Sequence, residues 1–396
     1  MAWPTGRDAG VKLLIVTPWP LDSRGGGQRL VKEVAVALAT HHGLDVHVAA
    51  GTGLPGSPAV PIETAGAIHE VRVPLVLRPG ASGRSRSENI AMTSYLHGLE
   101  PLAEAIRPDV IAFAPHYSSC TEQTAALAAQ LRIPFVLMPA IHLDHRLHIG
   151  RAAMRLYRSA DLVVCLSETE RQWLLSTARV PDARLLLLEC GWNGPVLARG
   201  RRGAGGDCVR LLTVGAFVRH KQVDHQVQAV ARLRDRIGLH AHLTVAGALA
   251  EPAVLDRLRR LRRQLDLEPD VEFLPDCTDA DLTRLYADAN CFLFTSRSES
   301  FGLALLDAIG FGVLPVVYPH PIYSQLVESS GFGVVARRAT PAALTDALRL
   351  AVNADTPADN GARLDWLQQR SWPQVSAPLA EALRRLPAYH VREGSR

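Results

Sequence analysis

Two carboxylates follow an apolar run in the second half of the chain. Glu299 lies just beyond a predicted buried strand, and Asp307 lies about a turn and a half into the helical pattern that follows. The residues that follow Glu299 are Ser300, Phe301, Gly302 and Leu303. Because glycine has no side chain, Gly302 lets the backbone approach a ligand closely. The spacing predicts a binding site where carboxylates meet the start of a helix.

A cationic segment follows the first apolar run of the second half. Gly215 ends that run, and Arg219, His220 and Lys221 precede a helical pattern that begins near Asp224. Cations at such a place can neutralise a departing diphosphate, and a solvated basic loop is the alternative. Lys221 stands out because only 3 of the 43 basic residues are lysines, an arginine bias expected of a high-GC bacterial genome.

A glycine-rich turn lies between the first predicted strand and the first predicted helix. Gly25, Gly26 and Gly27 precede helical spacing over residues 28–40. Backbone N–H groups and the positive end of a helix suit a phosphate or a sugar hydroxyl. The spacing matches neither the dinucleotide fingerprint nor the P-loop, and a flexible turn without a ligand is the alternative.

Three histidines recur at a spacing of three, namely His142, His145 and His148. This spacing would share a helix face, but Asp144, Arg146 and the loop context argue against a set of metal ligands. We predict no metal site in this chain.

Short apolar runs alternate with helical patterns in both halves, which predicts parallel sheets covered by helices. The predicted strands are residues 12–17, 45–49, 109–113, 134–138, 161–166, 184–188, 210–214, 242–246, 271–274, 291–295, 314–317 and 333–335. We expect an α/β protein with two doubly wound, Rossmann-like domains and a ligand in the cleft between them.

A stretch of Gly, Arg and Ala without apolar periodicity, residues 198–207, predicts an interdomain linker. It separates a predicted N-terminal domain of residues 1–197 from a C-terminal domain of residues 208–372. A helical pattern at residues 373–390 is expected to pack back on the first domain.

The composition excludes several classes of protein. Of the 396 residues, 47% are hydrophobic and 21% are charged, which argues against disorder. The formal net charge of +4 is spread evenly, so neither a nucleic-acid-binding nor a polybasic membrane surface is predicted. Arg151, Arg155 and Arg158 fall at helical spacing, where a solvated face is favoured over an acidic lipid surface.

The cysteines and the apolar runs bear on location. The 6 cysteines form no C-x-x-C pair, which predicts a reducing cytoplasm and no structural zinc. The N-terminal apolar run is short and lacks a cleavage site, and no run approaches the roughly 18 apolar residues of a spanning helix.

The run from Glu299 to Asp307, with its Phe301-Gly302-Leu303, resembles the E-x7-E signature of the family 4 retaining glycosyltransferases of the GT-B fold. The similarity extends over nearly the whole chain. Further matching positions are Gly25–Gly27, Ser167, Gly191, Lys221, Val245–Gly247, the G-x-P-V-V strand at Gly312–Val317, and Trp372.

The resemblance implies an enzyme that moves a sugar, with retention of configuration, from a UDP- or GDP-sugar to a hydroxyl of a small-molecule or saccharide acceptor. The first domain would bind the acceptor and the second the donor. Glu299 would bind the donor sugar, Asp307 the ribose, and Lys221 the diphosphate. Other donor-binding positions would be Gly26, Gly27, Gly215, Leu274, Asp276, Ser300, Phe301, Gly302 and Leu303. The nucleotide sugar is a co-substrate, and no cofactor or metal is implied.

The family often places a histidine after a strand of the first domain, where His116 and His142 are the candidates here. Two positions depart from the pattern. Ala216 stands where the family usually has Arg, for which Arg219 could substitute, and Asp307 stands in place of the second Glu. These departures leave open a non-catalytic nucleotide-sugar-binding partner of another transferase. A sugar-nucleotide epimerase on the same fold is a further alternative.

Overall fold

The computed structural model describes residues 10–52, 61–64, 67–77, 94–115, 117–194, 208–247, 250–353 and 361–393. The chain divides into two compact units. The first runs to Gly191 and includes the segment from Trp372 onward, and the second runs from Trp192 to Ser371. The predicted linker at residues 198–207 lies outside the described residues.

The first unit is built on a mainly parallel sheet. Its strands, in chain order, are β1 (Lys12–Thr17), β2 (Asp45–Gly51), β3 (Pro61–Thr64), β4 (Ile68–Val73), β5 (Leu75–Leu77), β6 (Ser94–Leu96), β7 (Val110–Phe113), β8 (Phe135–Leu137), β9 (Leu162–Cys165) and β10 (Leu185–Leu187). Eight of them form one sheet in the order β10-β9-β8-β7-β1-β2-β4-β3, and β5 pairs with β6 separately. Only β3–β4 and β5–β6 are antiparallel among the described pairs.

The described residues of this unit form six α-helices. They are α1 (Gly26–His42), α2 (Leu99–Ile106), α3 (Ser119–Leu131), α4 (Arg151–Ser159), α5 (Glu168–Trp173) and the C-terminal helix, Trp372–Glu393, which is α13 in chain order. Helix α1 ends at Gly43, whose left-handed backbone (φ 66°) directs its N–H to the carbonyl of Leu38. The C-terminal helix packs against α1, where Nε2 of His42 lies 2.9 Å from Oγ of Ser376.

The second unit carries a wholly parallel sheet. Its strands are β11 (Val209–Val214), β12 (Ala241–Ala246), β13 (Val271–Leu274), β14 (Cys291–Phe294), β15 (Leu314–Val317) and β16 (Val334–Val335). The order is β13-β12-β11-β14-β15-β16. The helices are α6 (Val223–Arg232), α7 (Pro252–Gln264), α8 (Asp279–Asp288), α9 (Leu303–Gly310), α10 (Pro321–Ser330), α11 (Pro341–Asn353) and α12 (Gly361–Gln368).

Strand order in the second sheet reverses between β11 and β14. From β11 the chain builds outward through β12 and β13 on one side, and β14 starts the other side against β11. In doubly wound sheets, ligands bind at the carboxyl ends of the strands where the order reverses. The loops that follow β11 and β14 therefore occupy the place where this topology favours a binding site.

Each sheet is covered by helices, so its central strands are buried on both faces. All four residues of β14 are buried, and each unit has its own apolar cluster around its sheet. This two-sided burial explains why the strands stand out in the sequence as continuous apolar runs. No helix within the described residues combines the length and apolar character needed to cross a membrane.

The structure confirms the predicted fold class of two doubly wound, parallel sheets. Each of the predicted strands is present, and no end differs by more than two residues. The sequence analysis missed β3, β4, β5 and β6. It also started α1 two residues late, because Gly26 and Gly27 are the first residues of that helix. His142, His145 and His148 lie in turns rather than on a helix face.

Candidate functional site

Lys221 lies in the loop that follows β11. The strand ends at Val214, and after Gly215 the chain forms a short 3-10 helix over Arg219–Lys221. The lysine side chain returns toward the strand end, since a Cβ added to Gly215 would lie 3.4 Å from Cε of Lys221. The lysine stem thus packs beside Gly215. The side chain of Arg219, in the same short helix, is exposed.

Glu299 lies in the loop that follows β14. Several hydrogen bonds hold this loop. Among them, the hydroxyl of Ser296 donates to the carbonyl of Ser298 (3.0 Å), and the N–H of Arg297 donates to the carbonyl of His220 (2.7 Å). The second bond ties the loop after β14 to the loop after β11. The two segments predicted to carry chemistry are therefore held together by their backbones.

Lys221 and Glu299, 78 residues apart, form an ion pair between Nζ and Oε1. Their side chains are 18% and 12% exposed, so the pair is largely shielded from water. Nζ of Lys221 also lies 5.6 Å from the ring centroid of Phe294. An ion pair of this kind holds a cation and an anion in place, and both can be redirected to a ligand that offers better partners.

The N-terminus of α9 lies beside this pair. Gly302, with φ 109°, precedes the helix, and a Cβ added there would lie 3.4 Å from Cε1 of Phe294. The ring of Phe294 thus lies close both to the start of α9 and to Nζ of Lys221. The first N–H groups of a helix have no partner within it and carry partial positive charge. They form a second source of positive potential next to Lys221.

Asp307 lies in the second turn of α9 and is only 8% exposed. The carboxyl end of this helix is fixed by Arg363, a fully buried side chain that donates to the carbonyls of Ile309 (2.8 Å) and Gly310 (3.3 Å). A cation at the C-terminus of a helix is favourable because the macrodipole is negative there. Arg363 therefore anchors the helix that carries Asp307.

The remaining donor-side candidates are spread along the same sheet. Leu274 ends β13, two strands away from β11, and its carbonyl already accepts from the N–H of Gly247 (3.0 Å). Asp276 is exposed in the turn that follows. Phe301 is buried, and Ser300 and Leu303 are partly exposed on either side of Gly302. The structure places these residues at the carboxyl edge of the sheet, with Leu274 on a strand two positions from β11.

The acceptor-side candidates belong to the first unit. His142 is half-buried in the loop after β8, and its backbone N–H donates to Nδ1 of the His148 ring (3.0 Å). His116 lies outside the described residues. Gly26 and Gly27 open α1, whose N-cap residue Gly25 provides no side-chain hydrogen bond. Among the described residues, no group of three or more His, Cys, Asp or Glu side chains could hold a metal ion.

Glu170, a buried carboxylate next to the His142 loop, was not predicted from the sequence. Its Oε1 accepts from the N–H of Ile141 (2.8 Å) and its Oε2 from the N–H of Leu166 (2.7 Å). Burial raises the pKa of Glu170 to about 7, although the two backbone hydrogen bonds oppose this shift. Ser167 caps the same helix three residues earlier, a Ser-x-x-Glu pattern that could have identified the residue.

We expect Glu170 to make the protein less stable as the pH rises. The pKa of Glu170 in the folded state lies above the ordinary value of 4.5. The free energy of unfolding is therefore undiminished below pH 4.5 and falls as the pH rises from there, until the loss is complete once the pH has passed about 7. Between pH 5 and pH 8 the free energy of unfolding of the natural protein should fall by about 2 kcal/mol relative to Glu170→Gln. Urea denaturation of both proteins at the two pH values measures this difference.

Glu170→Gln destabilises the protein in its own right, because glutamine has a single acceptor oxygen for two N–H donors. This loss is the same at both pH values, so it cancels when the change with pH is compared between the two proteins. Parallel pH profiles for the two proteins would contradict the assignment, since they would show that the ionised carboxylate is accommodated without penalty.

Two family models match the chain. The one described as "Glycosyltransferase Family 4" covers residues 24–193, and the one described as "Glycosyl transferases group 1" covers residues 200–363. The second of these matches includes Lys221, Glu299 and Asp307.

Curated relatives match over parts of their length. The GDP-mannose:cellobiosyl-diphosphopolyprenol alpha-mannosyltransferase of Xanthomonas campestris is 28% identical, over 35% of this chain and 36% of its own. The mannosylfructose-phosphate synthase of Agrobacterium fabrum is 27% identical, over 42% and 39%. The D-inositol 3-phosphate glycosyltransferase of Mycolicibacterium smegmatis is 27% identical, over 59% and 55%. The matches thus span between about a third and just over half of these relatives.

Solved structures match over nearly the whole chain. Sucrose-phosphate synthase from Thermosynechococcus elongatus has a TM-score of 0.73 at 17% identity, covering 96% of this chain and 100% of its own. HepE from Anabaena, solved in complex with UDP and glucose, has a TM-score of 0.70 at 15% identity, covering 95% and 100%. At such identities the likeness shows the fold. With its two doubly wound sheets and both family models, the chain belongs to the family 4 glycosyltransferases of the GT-B fold.

Proposed function

We propose that this chain is a retaining glycosyltransferase that moves a sugar from a UDP- or GDP-sugar to a hydroxyl of a small-molecule or saccharide acceptor. The observation that carries the proposal is the Lys221–Glu299 ion pair, which lies beside the N-terminus of α9 where the strand order of the second sheet reverses. Membership of the family supports sugar transfer. Both UDP- and GDP-sugars are proposed as donors, because one relative is named for GDP-mannose and HepE was solved with UDP.

The chemistry requires positive charge where the diphosphate departs. The bond between the anomeric carbon and the phosphate oxygen breaks, and the electron pair leaves with the diphosphate. Nζ of Lys221 and the first N–H groups of α9 stabilise the charge that develops there. The acceptor oxygen then bonds to the anomeric carbon on the same face, and its proton passes to a diphosphate oxygen.

The carboxylates have binding roles in this proposal. Glu299 accepts hydrogen bonds from the hydroxyls of the donor sugar, and Asp307 binds the ribose, directly or through a water because its side chain is one methylene shorter than Glu. Arg219 belongs to the same short helix as Lys221 and supplies a second cation in place of the small Ala216. In the first unit, His142 and His116 are proposed to orient the acceptor hydroxyl.

We propose that transfer needs neither a metal ion nor an organic cofactor, because Lys221 and the start of α9 already provide positive charge for the diphosphate. A cytoplasmic location is proposed on the cysteines. All six thiols lie among the described residues without forming a disulfide, as in a reducing compartment.

The test is a transfer assay with UDP- and GDP-sugars against a panel of sugar and aglycone acceptors, with and without EDTA. We expect release of nucleoside diphosphate that depends on the acceptor and persists in EDTA, and a product with the donor's anomeric configuration by NMR. Titration with UDP and GDP is run in parallel. Binding without release would favour a non-catalytic partner, and an inverted product would contradict retention.

A further inference from the structure

Three hydrogen bonds in series connect the buried side chains of Thr213, Gln226 and Thr295 to the backbone of Lys221. The hydroxyl of Thr213 lies within hydrogen-bond distance of Oε1 of Gln226 (2.8 Å) and of the carbonyl of Leu293 (3.0 Å). Nε2 of Gln226 donates to Oγ1 of Thr295 (2.7 Å). The hydroxyl of Thr295 in turn donates to the carbonyl of Lys221 (2.9 Å). This series of hydrogen bonds thus runs from the end of β11, through α6, to the backbone of the lysine.

These three side chains are unusual in being so deeply buried. Thr213 is 6% exposed, and Gln226 and Thr295 are each 1% exposed. An amide placed in such surroundings costs free energy unless its donors and acceptors are satisfied. Gln226 therefore stabilises the fold only if its hydrogen bonds are kept, and this ties the position of each hydroxyl to the position of the amide.

The backbone that follows Lys221 is strained. Gln222 adopts the left-handed conformation (φ 51°, ψ 41°), which is unfavourable for a residue with a side chain. The hydroxyl of Thr295 lies 2.9 Å from the carbonyl of Lys221 and 3.3 Å from that of Gln222, so it spans the strained peptide. Such a conformation persists only where its surroundings hold it. Thr295 does so here together with two backbone hydrogen bonds, from the N–H of Gln222 to the carbonyl of Arg219 (3.2 Å) and from the N–H of His225 to the carbonyl of Gln222 (3.1 Å).

The direction of the hydrogen bonds gives Gln226 its role. A threonine hydroxyl has one hydrogen, which it can direct to only one acceptor at a time. Because the amide of Gln226 donates to Oγ1 of Thr295, the hydroxyl hydrogen of Thr295 is turned toward the carbonyls on the lysine loop. Hydrogen bonds in such a series also polarise and strengthen one another.

We infer that Gln226 is a positioning residue for Lys221 and acts through Thr295, holding the lysine loop so that Nζ stays against Glu299 and ready for the diphosphate of a nucleotide sugar. The inference rests on the proposed function for its catalytic meaning. Its structural part, the control of Lys221 by a buried amide, stands on the hydrogen bonds alone.

The scarcity of lysine allows a direct test. The chain has three lysines, Lys12, Lys32 and Lys221, so amine labelling followed by peptide mass spectrometry reports the accessibility of each one separately. Four variants are compared with the natural protein: Gln226→Met, Thr295→Val, Thr295→Ser and Thr345→Val. Thr345 is the matched control, because it is a buried threonine of the same unit whose hydroxyl donates to a helix carbonyl, that of Pro341 (2.9 Å).

We expect the labelling rate of Lys221 to rise several-fold in Gln226→Met and Thr295→Val, with Lys12 and Lys32 unchanged as internal standards. Thr295→Ser retains the hydroxyl and should restore the natural rate. Thr345→Val should leave the labelling of Lys221 unchanged. The double variant Gln226→Met/Thr295→Val should label Lys221 no faster than Thr295→Val, because both substitutions break the same chain of hydrogen bonds.

In the transfer assay, kcat should fall about fivefold in Gln226→Met and Thr295→Val, the size expected for one hydrogen bond of about 1 kcal/mol. Equal Lys221 labelling in Gln226→Met, Thr295→Val and Thr345→Val would overturn the inference. If Gln226→Met fails to fold, the contrast between Thr295→Val and Thr295→Ser decides the matter. Labelling does not depend on turnover, so an inactive natural protein would reject the proposed function without touching this result.

Discussion

We expect Lys221→Ala to lower the kcat of sugar transfer by about 100- to 1000-fold, the range typical of removing one group that stabilises a developing anion. The reason lies in where the side chain is held. Nζ is largely shielded from water, so its charge acts on the diphosphate with little screening. Release of nucleoside diphosphate from a saturating donor and acceptor measures the effect.

The control for this variant is Arg210→Ala. Arg210 is an exposed cation near the opposite end of β11 and bonds the carbonyl of Asp288 (2.6 Å). Its loss removes a positive charge from the same strand without approaching the proposed site, so transfer should continue at the natural rate. Lys221→Arg keeps the charge but presents a planar fork in place of a compact ammonium, and should recover only part of the activity. Natural rates in Lys221→Ala would contradict the assignment of the site.

The second large effect is expected for Glu299→Ala, which should lower kcat/KM by about 100-fold. Two losses combine here. The donor sugar loses a charged acceptor for its hydroxyls, worth about 1.5–3 kcal/mol, and Lys221 loses the anion that holds it in place. Steady-state kinetics at varied donor concentration measures both kcat and KM, since a binding role should raise KM as well.

Glu299→Gln keeps the size of the side chain and one acceptor oxygen, so its loss should be smaller than that of the alanine variant. Glu328→Ala is the matched control, because Glu328 is an exposed glutamate on α10 of the same unit. Lys221→Ala and Glu299→Ala should not be additive when combined, since the two side chains contact each other directly. Additive losses would show that the ion pair has no part in transfer, and an unchanged kcat/KM in Glu299→Ala would remove Glu299 from the site.

Much of the fold could be predicted because burial in a parallel sheet leaves a plain mark on the sequence. A strand covered on both faces must be apolar at every position, as in β14, where Cys291, Phe292, Leu293 and Phe294 are all buried. Two of the four strands that were missed have no such mark. Only three of the six residues of β4 (Ile68–Val73) are buried, one of them Glu70, and its neighbour β3 reads Pro-Ile-Glu-Thr.

The type of the site residues was also open to prediction, because their chemistry is local. A lysine kept in a chain that otherwise uses arginine, and a glutamate followed by Phe-Gly-Leu at the start of a helix, can be recognised one segment at a time. Their contact could not be recognised in this way. It depends on β14 pairing with β11 rather than with β13, its predecessor in the chain.

The burial of polar side chains could not be predicted from the sequence for a related reason. Gln226 and Glu170 are residue types that usually lie at the surface. The Ser167-x-x-Glu170 pattern marks the start of a helix, but neither segment by itself shows that its side chain is buried. Only the packing of α6 against the sheet buries the amide of Gln226 between two threonines, and only the loop after β8 brings the N–H of Ile141 to Glu170. The sequence by itself determined which elements form and which chemical groups they carry. The tertiary structure decided which of those groups meet and which are withdrawn from water, because pairing order and burial depend on residues that are distant in the chain.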